Sequence, residues 1–536
     1  MIKNYFAIAW RKIRQSPMYA FINIFSLAIG LASCMIIYLF IQDERSFDAF
    51  HSQKENIYRL DEIQNFTGTN VQKVALSMPG MGPNLVKEFP EVRNFTRFMN
   101  RQKVLVQKDE KRLLLPNLAI VDSTFLEIFD FEVLMGDRST ALDEPYSIML
   151  TEETALKFFN TVEEAIGNTV TLRGDECKVT GILANLPENT HMRFDALVSM
   201  ASITRQDPEF NDRWGSNFLN TYLLLNPKTD VKTLEEKFPA FLRAHMSDPD
   251  INKYYVLFLQ RLDQVHLASS DIEHDYNNYR KFNGAYLDIF TIVAVFILLI
   301  AAVNFMNLTT ARASHRWKEI GVRKTIGARK GQLFVQFIFE SILLACLAMI
   351  LALLLDLVFI PIVNQLIGRQ LSLLPFFKEP ANLLFIVLSA TTLGLLTGIY
   401  PSFYMTSFNM ARVLKGGGKG DGASVFRSSL VILQFGLAIA MIVSTLVVIQ
   451  QLTFIENKDI GFEKDQMMLI DMNGDVNAKF ENLRTEFKRS PFVLGVTASG
   501  QRLGENFHQW GFKVKGDTGV FILTPSNVNV DYEYLS

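Results

Sequence analysis

The chain has 536 residues, of which 49% are hydrophobic and 44 are phenylalanine, and its formal net charge is −2. This length exceeds one ordinary domain, and the balanced charge excludes a strong overall attraction to nucleic acid. Cys34 and Cys346 lie in apolar runs and Cys177 has no neighbour to pair with, which excludes a disulfide framework.

The first predicted element is an amphipathic helix within residues 1–18. One helical face collects the apolar residues Ile2, Tyr5, Phe6, Ala9, Trp10 and Ile13, and the basic residues Lys3, Arg11, Lys12 and Arg14 lie largely elsewhere. Ser16-Pro17 then interrupts the helix. We interpret it as an interfacial helix on the inner leaflet, with the positive flank of a signal anchor as the alternative.

Five apolar segments are long enough to cross a bilayer, which takes about 20 residues. These predicted spans are residues 19–41, 286–309, 333–360, 381–400 and 429–450. Basic residues are concentrated before the first span and in segments 310–332 and 401–428, and the loop at 361–380 has few. The positive-inside rule therefore predicts a cytoplasmic N-terminus, with residues 42–285 and 451–536 outside.

The outside segment 42–285 has the composition of an ordinary globular domain. "KVLVQ" and "RLLLP" flank a polar turn at Lys108–Lys111, and "TVTLRGDECKVTGIL" predicts a second hairpin that turns at Gly174-Asp175. Thr151 can cap a helix in "TEETALKFFN", and "DVKTLEEKF" is a second helix signal. This mixture predicts an α+β domain of one or two lobes.

Catalytic and cofactor motifs are missing from the sequence. None of the seven histidines has another His or Cys at metal-ligand spacing. The glycine-rich stretch "LKGGGKGDGAS" is not a P-loop, because Gly420 follows Lys419 where Ser or Thr is required. We therefore expect a non-enzymatic chain that binds no cofactor or metal itself, so that any ATP is hydrolysed by another subunit.

The stretch "WKEIGVRKTIGARKGQ" (residues 317–332) is unusually patterned for a short loop. Glu319 and Arg323 are i,i+4 partners, Gly321 allows close backbone approach, and Gly327 suits a helix C-cap. Arg316, Lys318, Arg323 and Lys324 predict a basic face for the acidic groups of an ATPase. The alternative is a positive-inside loop that contacts lipid headgroups.

Polar residues inside the predicted spans are expected to face protein or water. We expect Asn304 and Asn307 to bond between helices, and Glu340 to pair with a basic residue on the cytoplasmic side. Asp356 is expected to reach the outer interface, with a role in proton coupling as the alternative for both acids.

Three segments recur about 410 residues later in the chain. "FSLAIG" at 25–30 matches "FGLAIA" at 435–440, "IYRLD" at 57–61 matches "MMLID" at 467–471, and "VDSTFLE" at 121–127 matches "VDYEYLS" at 530–536. A nearly constant offset indicates a tandem repeat of one span, a large outside domain and three spans. We expect a fragment of a longer protein of about eight spans, cut inside its second outside domain.

The chain resembles the MacB/FtsX-like (type VII) permeases of ABC transporters. The order of spans and domain carries the likeness, together with "RWKEIGVRKTIGARKGQLFVQFIFES" (316–341) and "GIYPSFYMTSFNMARVLKG" (398–416). "AIVDSTFLEIFDFEVLMGD" (119–137) and "GILANLPENTHMRFDALVS" (181–199) are similar to the MacB-type periplasmic core. The resemblance implies an α-helical protein of the bacterial inner membrane with an α+β periplasmic domain.

The same resemblance implies how the protein works. A separate cytoplasmic ABC ATPase dimer, holding ATP and Mg, would bind the coupling residues Arg316, Lys318, Glu319, Gly321, Arg323, Lys324 and Gly327. Its motion would drive export or extraction of an antimicrobial, a lipid or a lipoprotein, with a periplasmic adaptor and an outer-membrane channel as further partners. The full-length chain would act as a pseudo-dimer. The alternatives are a signalling complex that controls a periplasmic hydrolase or senses a ligand, and a receptor without an ATPase.

Overall fold

A computed structural model describes residues 2–66, 70–311, 320–407, 421–459, 461, 466–472, 474–502, 508–516 and 519–534. The chain divides into two compact units. The helical unit comprises Met1–Asp43 and Ala285–Met467, and the globular unit comprises Glu44–Gly284 and Met468–Ser536.

The helices and strands account for most of the described residues. The helices are α1 (Ile2–Gln15), α2 (Pro17–Arg45), α3 (Met81–Glu88), α4 (Phe125–Ile128), α5 (Glu152–Phe158), α6 (Val162–Ala165), α7 (Ala201–Gln206), α8 (Val231–Glu235), α9 (Phe238–His245), α10 (Ile251–Tyr254), α11 (Leu262–Val265), α12 (Ala285–Ala311), α13 (described over 320–325), α14 (Lys330–Ile367), α15 (Leu374–Lys378), α16 (Pro380–Ser407), α17 (Asp421–Asn457), α18 (Gly474–Ala478) and α19 (Phe480–Phe487). The strands are β1 (Ile57–Gln64), β2 (Gln72–Val74), β3 (Val92–Lys108), β4 (Lys111–Val121), β5 (Val133–Gly136), β6 (Ser147–Thr151), β7 (Thr169–Leu172), β8 (Asp175–Leu183), β9 (Ala196–Ser199), β10 (Asn220–Leu225), β11 (Tyr255–Arg261), β12 (Ile272–Glu273), β13 (His508–Gln509), β14 (Phe512–Gly516), β15 (Gly519–Leu523) and β16 (Ser526–Asn527).

Five helices in the described part of the chain are long and apolar enough to cross a membrane. They are Pro17–Arg45, Ala285–Ala311, Lys330–Ile367, Pro380–Thr406 and Ser428–Asn457, and each contains one predicted span. The helix break expected at Ser16-Pro17 is present between α1 and α2.

The loops between these helices are shorter than the sequence indicates. Helix α14 continues through Pro361 to Ile367 and ends only at Gly368, whose φ of +63° is a left-handed cap. Helix α16 likewise continues through Pro401, and α17 already begins at Asp421. The loop predicted at 361–380 and the linker predicted at 401–428 are therefore partly helical, because these prolines do not end their helices.

Small residues allow close packing inside the helical unit. A Cβ added to Gly394 of α16 would lie 2.6 Å from Ile342 Cα of α14, and one added to Gly398 would lie 2.7 Å from Ser341 Cβ. Gly30 of α2 packs in the same way against Ala301 of α12. Glycines and alanines at such positions are typical of helix contacts in a bilayer.

The globular unit is built on a twelve-stranded mixed sheet, which confirms the predicted α+β class. Its order is β12-β2-β1-β10-β3-β4-β9-β6-β8-β5, with β11 paired to β1, and β7 paired to β3 and β8. Apolar clusters pack against this sheet and include Phe98, Phe125 and Leu197 in one group and Leu60, Met78 and Leu223 in another. The C-terminal segment of the unit (Met468–Ser536) adds two short two-stranded sheets.

Local signals in the domain agree with the structure, with one shift. Strands β3 and β4 pair up to Lys108 and Lys111, and the Thr151 hydroxyl caps α5 by accepting from the Thr154 N–H. The second hairpin turns at Arg173-Gly174, one residue earlier than predicted, because Leu172 pairs with Asp175. Both turn residues have positive φ, as a tight two-residue hairpin loop requires.

Candidate coupling site

The described part of the predicted coupling segment forms the short helix α13 followed by a tight turn. Gly327 has a φ of +100°, its N–H donates to the Lys324 carbonyl, and the Ala328 N–H donates to the Arg323 carbonyl. Gly327 therefore occupies the C-cap position that the sequence predicts. Arg316, Lys318 and Glu319 lie outside the described residues, and so does the expected Glu319–Arg323 pair.

Helix α13 is fastened to the ends of α14 and α16. Ile320 is only 5% exposed and belongs to an apolar cluster with Leu333, Phe337 and Met405. The Arg323 guanidinium donates to Gln336 Oε1 at 2.9 Å, and Lys324 Nζ donates to the Thr406 carbonyl at 2.8 Å. One helix thus contacts two membrane helices through a packing contact and two hydrogen bonds.

The two described residues of the expected basic face, Arg323 and Lys324, bond to other helices, whereas Arg329 and Lys330 of the same segment are exposed. Arg323 and Lys324 are half-buried, and burial, with the nearby Lys330, lowers the pKa of Lys324. The outward face instead carries Val322 and Ile326, which are 59% and 80% exposed. The reason lies in the neighbouring helices: the basic side chains donate to the Gln336 amide oxygen of α14 and to a carbonyl at the end of α16, which leaves the i,i+4 apolar pair outside.

Asn304 and Glu340 lie in helix contacts. Asn304 Nδ2 of α12 donates to Ser26 Oγ of α2 at 2.6 Å, which confirms the predicted bond between helices. For Asn307, the described residues show no hydrogen bond of the side chain. Glu340 is buried and lines a narrow cavity with Tyr19, Ser341 and Ser402.

Asp356 is buried inside the helical unit, and its expected position at the outer interface stays a prediction. Its side chain is 0% exposed, and neither carboxylate oxygen has a hydrogen-bond partner among the described residues. Helix α14 continues for eleven residues beyond Asp356 to Ile367. At 1.5 Å per residue, those residues extend the helix by about 16 Å past this carboxylate.

A buried polar network at the beginning of the globular unit was missed by the sequence reasoning. Asp48 accepts from the Thr190 hydroxyl at 2.8 Å and contacts His191 Nδ1 at 2.8 Å, and His191 Nε2 contacts the Tyr222 hydroxyl at 2.7 Å. Burial alone would raise the pKa of Asp48, but His191 and Thr190 together hold that pKa below its usual value.

A second pair lies one helical turn earlier in the chain. His266 Nε2 contacts Glu44 Oε2 at 2.7 Å, and the His266 ring stacks on Phe47 at 3.5 Å. Glu44, at the end of the first apolar helix, and Asp48, just after it, are therefore bound to two distant parts of the globular unit. The available signal was two acidic residues, Glu44 and Asp48, directly after an apolar span, but their partners are 222 and 143 residues away.

Two family models match the chain in succession. Residues 20–241 match the MacB-like periplasmic core domain, and residues 291–410 match the FtsX-like permease C-terminal domain. The first match covers the first apolar helix and most of the twelve-stranded sheet. The second covers α12 to α16 and includes the whole described part of the coupling segment.

Known relatives match parts of the chain. A macrolide export ATP-binding/permease protein MacB from Hyphomonas neptunium is 28% identical over 257 residues, which are 48% of this chain and 36% of that protein. The uncharacterized ABC transporter permease YknZ from Bacillus subtilis is 21% identical over 215 residues, 40% of this chain and 47% of that protein. The chain thus spans less than half the length of each of these relatives.

One solved structure has a partial likeness to the chain. A domain of a permease protein from Porphyromonas gingivalis is 19% identical, with a TM-score of 0.35, and the match covers 39% of this chain and 91% of that one. The successive order of the two family models, together with the sheet and the apolar helices on which they fall, identifies the chain. It belongs to the MacB/FtsX-like family of ABC transporter permeases.

Proposed function

We propose that this chain is the membrane subunit of an ABC transporter and that α13 receives the motion of a separate cytoplasmic ATPase. One observation carries the assignment of the site: Val322 of α13 and Ile326 of the following turn are exposed, while the other side of α13 is bonded to α14 and α16. Two adjacent apolar side chains on a rigid support can act as an anchor in a pocket of a partner. ATP and Mg would be held by that partner.

The contacts of α13 indicate where the motion would go next. A displacement of the helix pulls on Gln336 of α14 through Arg323 and on the end of α16 through Lys324. Glycine packing at Gly394 and Gly398 holds these two helices together. We infer that α14 and α16 move as one body when the ATPase dimer closes.

The output of this motion would be mechanical work on a substrate outside the inner membrane. Two relatives in this family are named for macrolide export or as ABC transporter permeases. We propose export or extraction of an apolar or amphipathic compound, with the globular unit in the periplasm. A periplasmic adaptor, an outer-membrane channel and a second repeat that completes a pseudo-dimer belong to the same proposal.

Charge insertion at the apolar pair tests the docking site. Ile326→Asp, alone or with Val322→Asp, should reduce recovery of the ABC ATPase that co-purifies with the wild-type chain at least tenfold, because the new carboxylate would be desolvated in the contact. The measurement is co-purification from membranes with ATPase activity as readout. Val256→Asp is the matched control, since Val256 is a half-exposed apolar side chain of the globular unit. Equal ATPase recovery by all variants would refute docking at α13.

A further inference from the structure

A carboxyl group without a charged partner is buried in the sheet of the globular unit. Glu62 on β1 is 0% exposed, and it lies opposite Val74 of β2 and Leu257 of β11. Glu62 Oε2 accepts from Gln64 Nε2 at 2.9 Å and from Asn217 Nδ2 at 2.8 Å. Two neutral amides are thus the hydrogen-bond donors to this carboxyl group in the described chain.

The same cluster contains two acceptor oxygens to which no described residue donates a hydrogen bond. Glu62 Oε1 and Asn217 Oδ1 are both buried and have no hydrogen-bond partner among the described residues. They belong to side chains that are already bonded to each other. A carboxylic acid can donate its proton to an amide oxygen while its second oxygen accepts from the amide nitrogen, so one proton satisfies both unpaired atoms.

We propose that Glu62 and Asn217 form a proton-binding site that is occupied at neutral pH and empties in mildly alkaline solution. Burial raises the pKa of Glu62 to about 8; the Gln64 amide lowers it, Asp61 raises it further, and the Asn217 amide lowers it. Two observations therefore favour a protonated Glu62. The unpaired oxygens of Glu62 and Asn217 need one hydrogen between them, and the carboxyl group is shielded from solvent.

The charged neighbours do not favour the ionised form. Asp61, the next residue on β1, is bonded to Arg59 on the opposite face of the strand. Lys73 on β2 stands opposite Ile63 and bonds to Asp271. On β11 the titratable neighbour is Tyr255, whose pKa is raised by burial and by Glu62 itself. A deprotonated Glu62 would therefore be a buried anion without a cation partner.

A ladder of amides connects the site to the C-terminal segment. Gln64 Oε1 accepts from Gln72 Nε2 at 3.2 Å, and Gln72 exchanges hydrogen bonds with Gln509 at 2.7 and 3.3 Å. Gln509, on β13, is partly exposed at the outer end of this ladder. An ionised Glu62 requires new donors, and water enters most readily where the ladder meets solvent. Loss of the proton should therefore loosen the Gln72–Gln509 contact.

Infrared titration of the full chain in lipid nanodiscs tests the proton site. We expect a protonated-carboxyl C=O band that disappears as the pH rises through about 8. Glu62→Gln should lack this transition, since its amide reproduces the donor of the neutral acid, and Asp271→Asn, which alters an exposed carboxylate, should keep it. A transition that persists in Glu62→Gln, or is missing from the wild type, would overturn the proposal.

A distance measurement tests the consequence for the C-terminal segment. Spin labels at Lys73→Cys and Trp510→Cys, in a background with the three native cysteines replaced by alanine, report on the neighbourhood of the ladder without removing its amides. The distance distribution should broaden above about pH 8 when Glu62 is present and stay narrow in the Glu62→Gln background. A distance distribution that is the same below and above this pH would contradict the coupling to Gln509. Loss of the proton would then affect only the surroundings of Glu62.

Discussion

At the scale of single residues, the polar interior of the globular unit rests on partners that are distant in the chain. Asp48, His191 and Tyr222 are all fully buried, and hydrogen bonds join Asp48 to His191 and His191 to Tyr222. An isolated buried carboxylate is costly, so the network is stable only when complete. No periodicity or spacing in the sequence relates position 48 to position 191, and this network therefore lies beyond sequence-based prediction.

Removal of the imidazole tests the network. His191→Leu should lower the free energy of unfolding by about 3 to 5 kcal/mol, because it leaves the Asp48 carboxylate buried and unpaired. The double variant Asp48→Leu/His191→Leu should lose less than the single variant, since no charge is then stranded. Equilibrium urea unfolding of the full chain in detergent gives both values.

An exposed ion pair supplies the comparison for that measurement. Lys73 and Asp271 are 2.7 Å apart, and both side chains are about half exposed. Lys73→Leu should change the free energy of unfolding by less than about 1 kcal/mol, as solvent screens this pair. A similar loss for His191→Leu and Lys73→Leu would show that the buried network carries no special stability.

At the scale of elements, the long apolar runs and the alternating hairpins were predictable because their signals are local. The hairpin at Lys108–Lys111 and the cap at Thr151 each depend on residues a few positions apart. The orientation of Arg323 and Lys324 was not predictable, because it depends on Gln336 and on the carbonyl of Thr406, which belong to other helices. Charge counting fixes which side of the membrane a loop prefers, but not which way its side chains point.

Glycine substitutions in two helices test the packing of α14 against α16. Gly394→Leu should sharply reduce thermal stability, because even a Cβ at this position would lie 2.6 Å from the backbone of Ile342. Gly436→Leu in α17 is the matched control, since no atom of another described residue lies within 4 Å of a Cβ there. Size-exclusion chromatography after heating measures the loss of monodisperse protein and distinguishes the two variants. Equal behaviour would argue against this close helix contact.

At the scale of the whole molecule, the predicted repeat places equivalent residues in different environments. Leu27 and Ala28 of α2 are fully buried, whereas their counterparts Leu437 and Ala438 of α17 are only half-buried. None of the apolar window of α17 is buried inside the described chain. The predicted repeat thus gives α17 the sequence of a packed first span, and we expect other membrane helices to cover its apolar surface.

Cysteine labelling tests the predicted topology. In sealed right-side-out membrane vesicles, a membrane-impermeant maleimide should react with Asp109→Cys but not with Ile326→Cys, because the two positions are expected on opposite sides of the bilayer. Both side chains are well exposed in the chain alone, and reaction of Ile326→Cys once the vesicles are opened and the ATPase is removed is the positive control. Reaction of Ile326→Cys before the vesicles are opened would reverse the assigned orientation.

Helix α14 has 38 residues, and at 1.5 Å per residue it is about 57 Å long, nearly twice the hydrocarbon thickness of a bilayer. Its attachment to α13 lies at Gln336, within two turns of its beginning. We expect this helix to move as a rigid rod. A tilt of about 5° about its beginning would displace Ile367 by about 5 Å. Under the proposed coupling, a small movement of α13 would therefore become a larger displacement at the far end of α14, with no loop between the two ends.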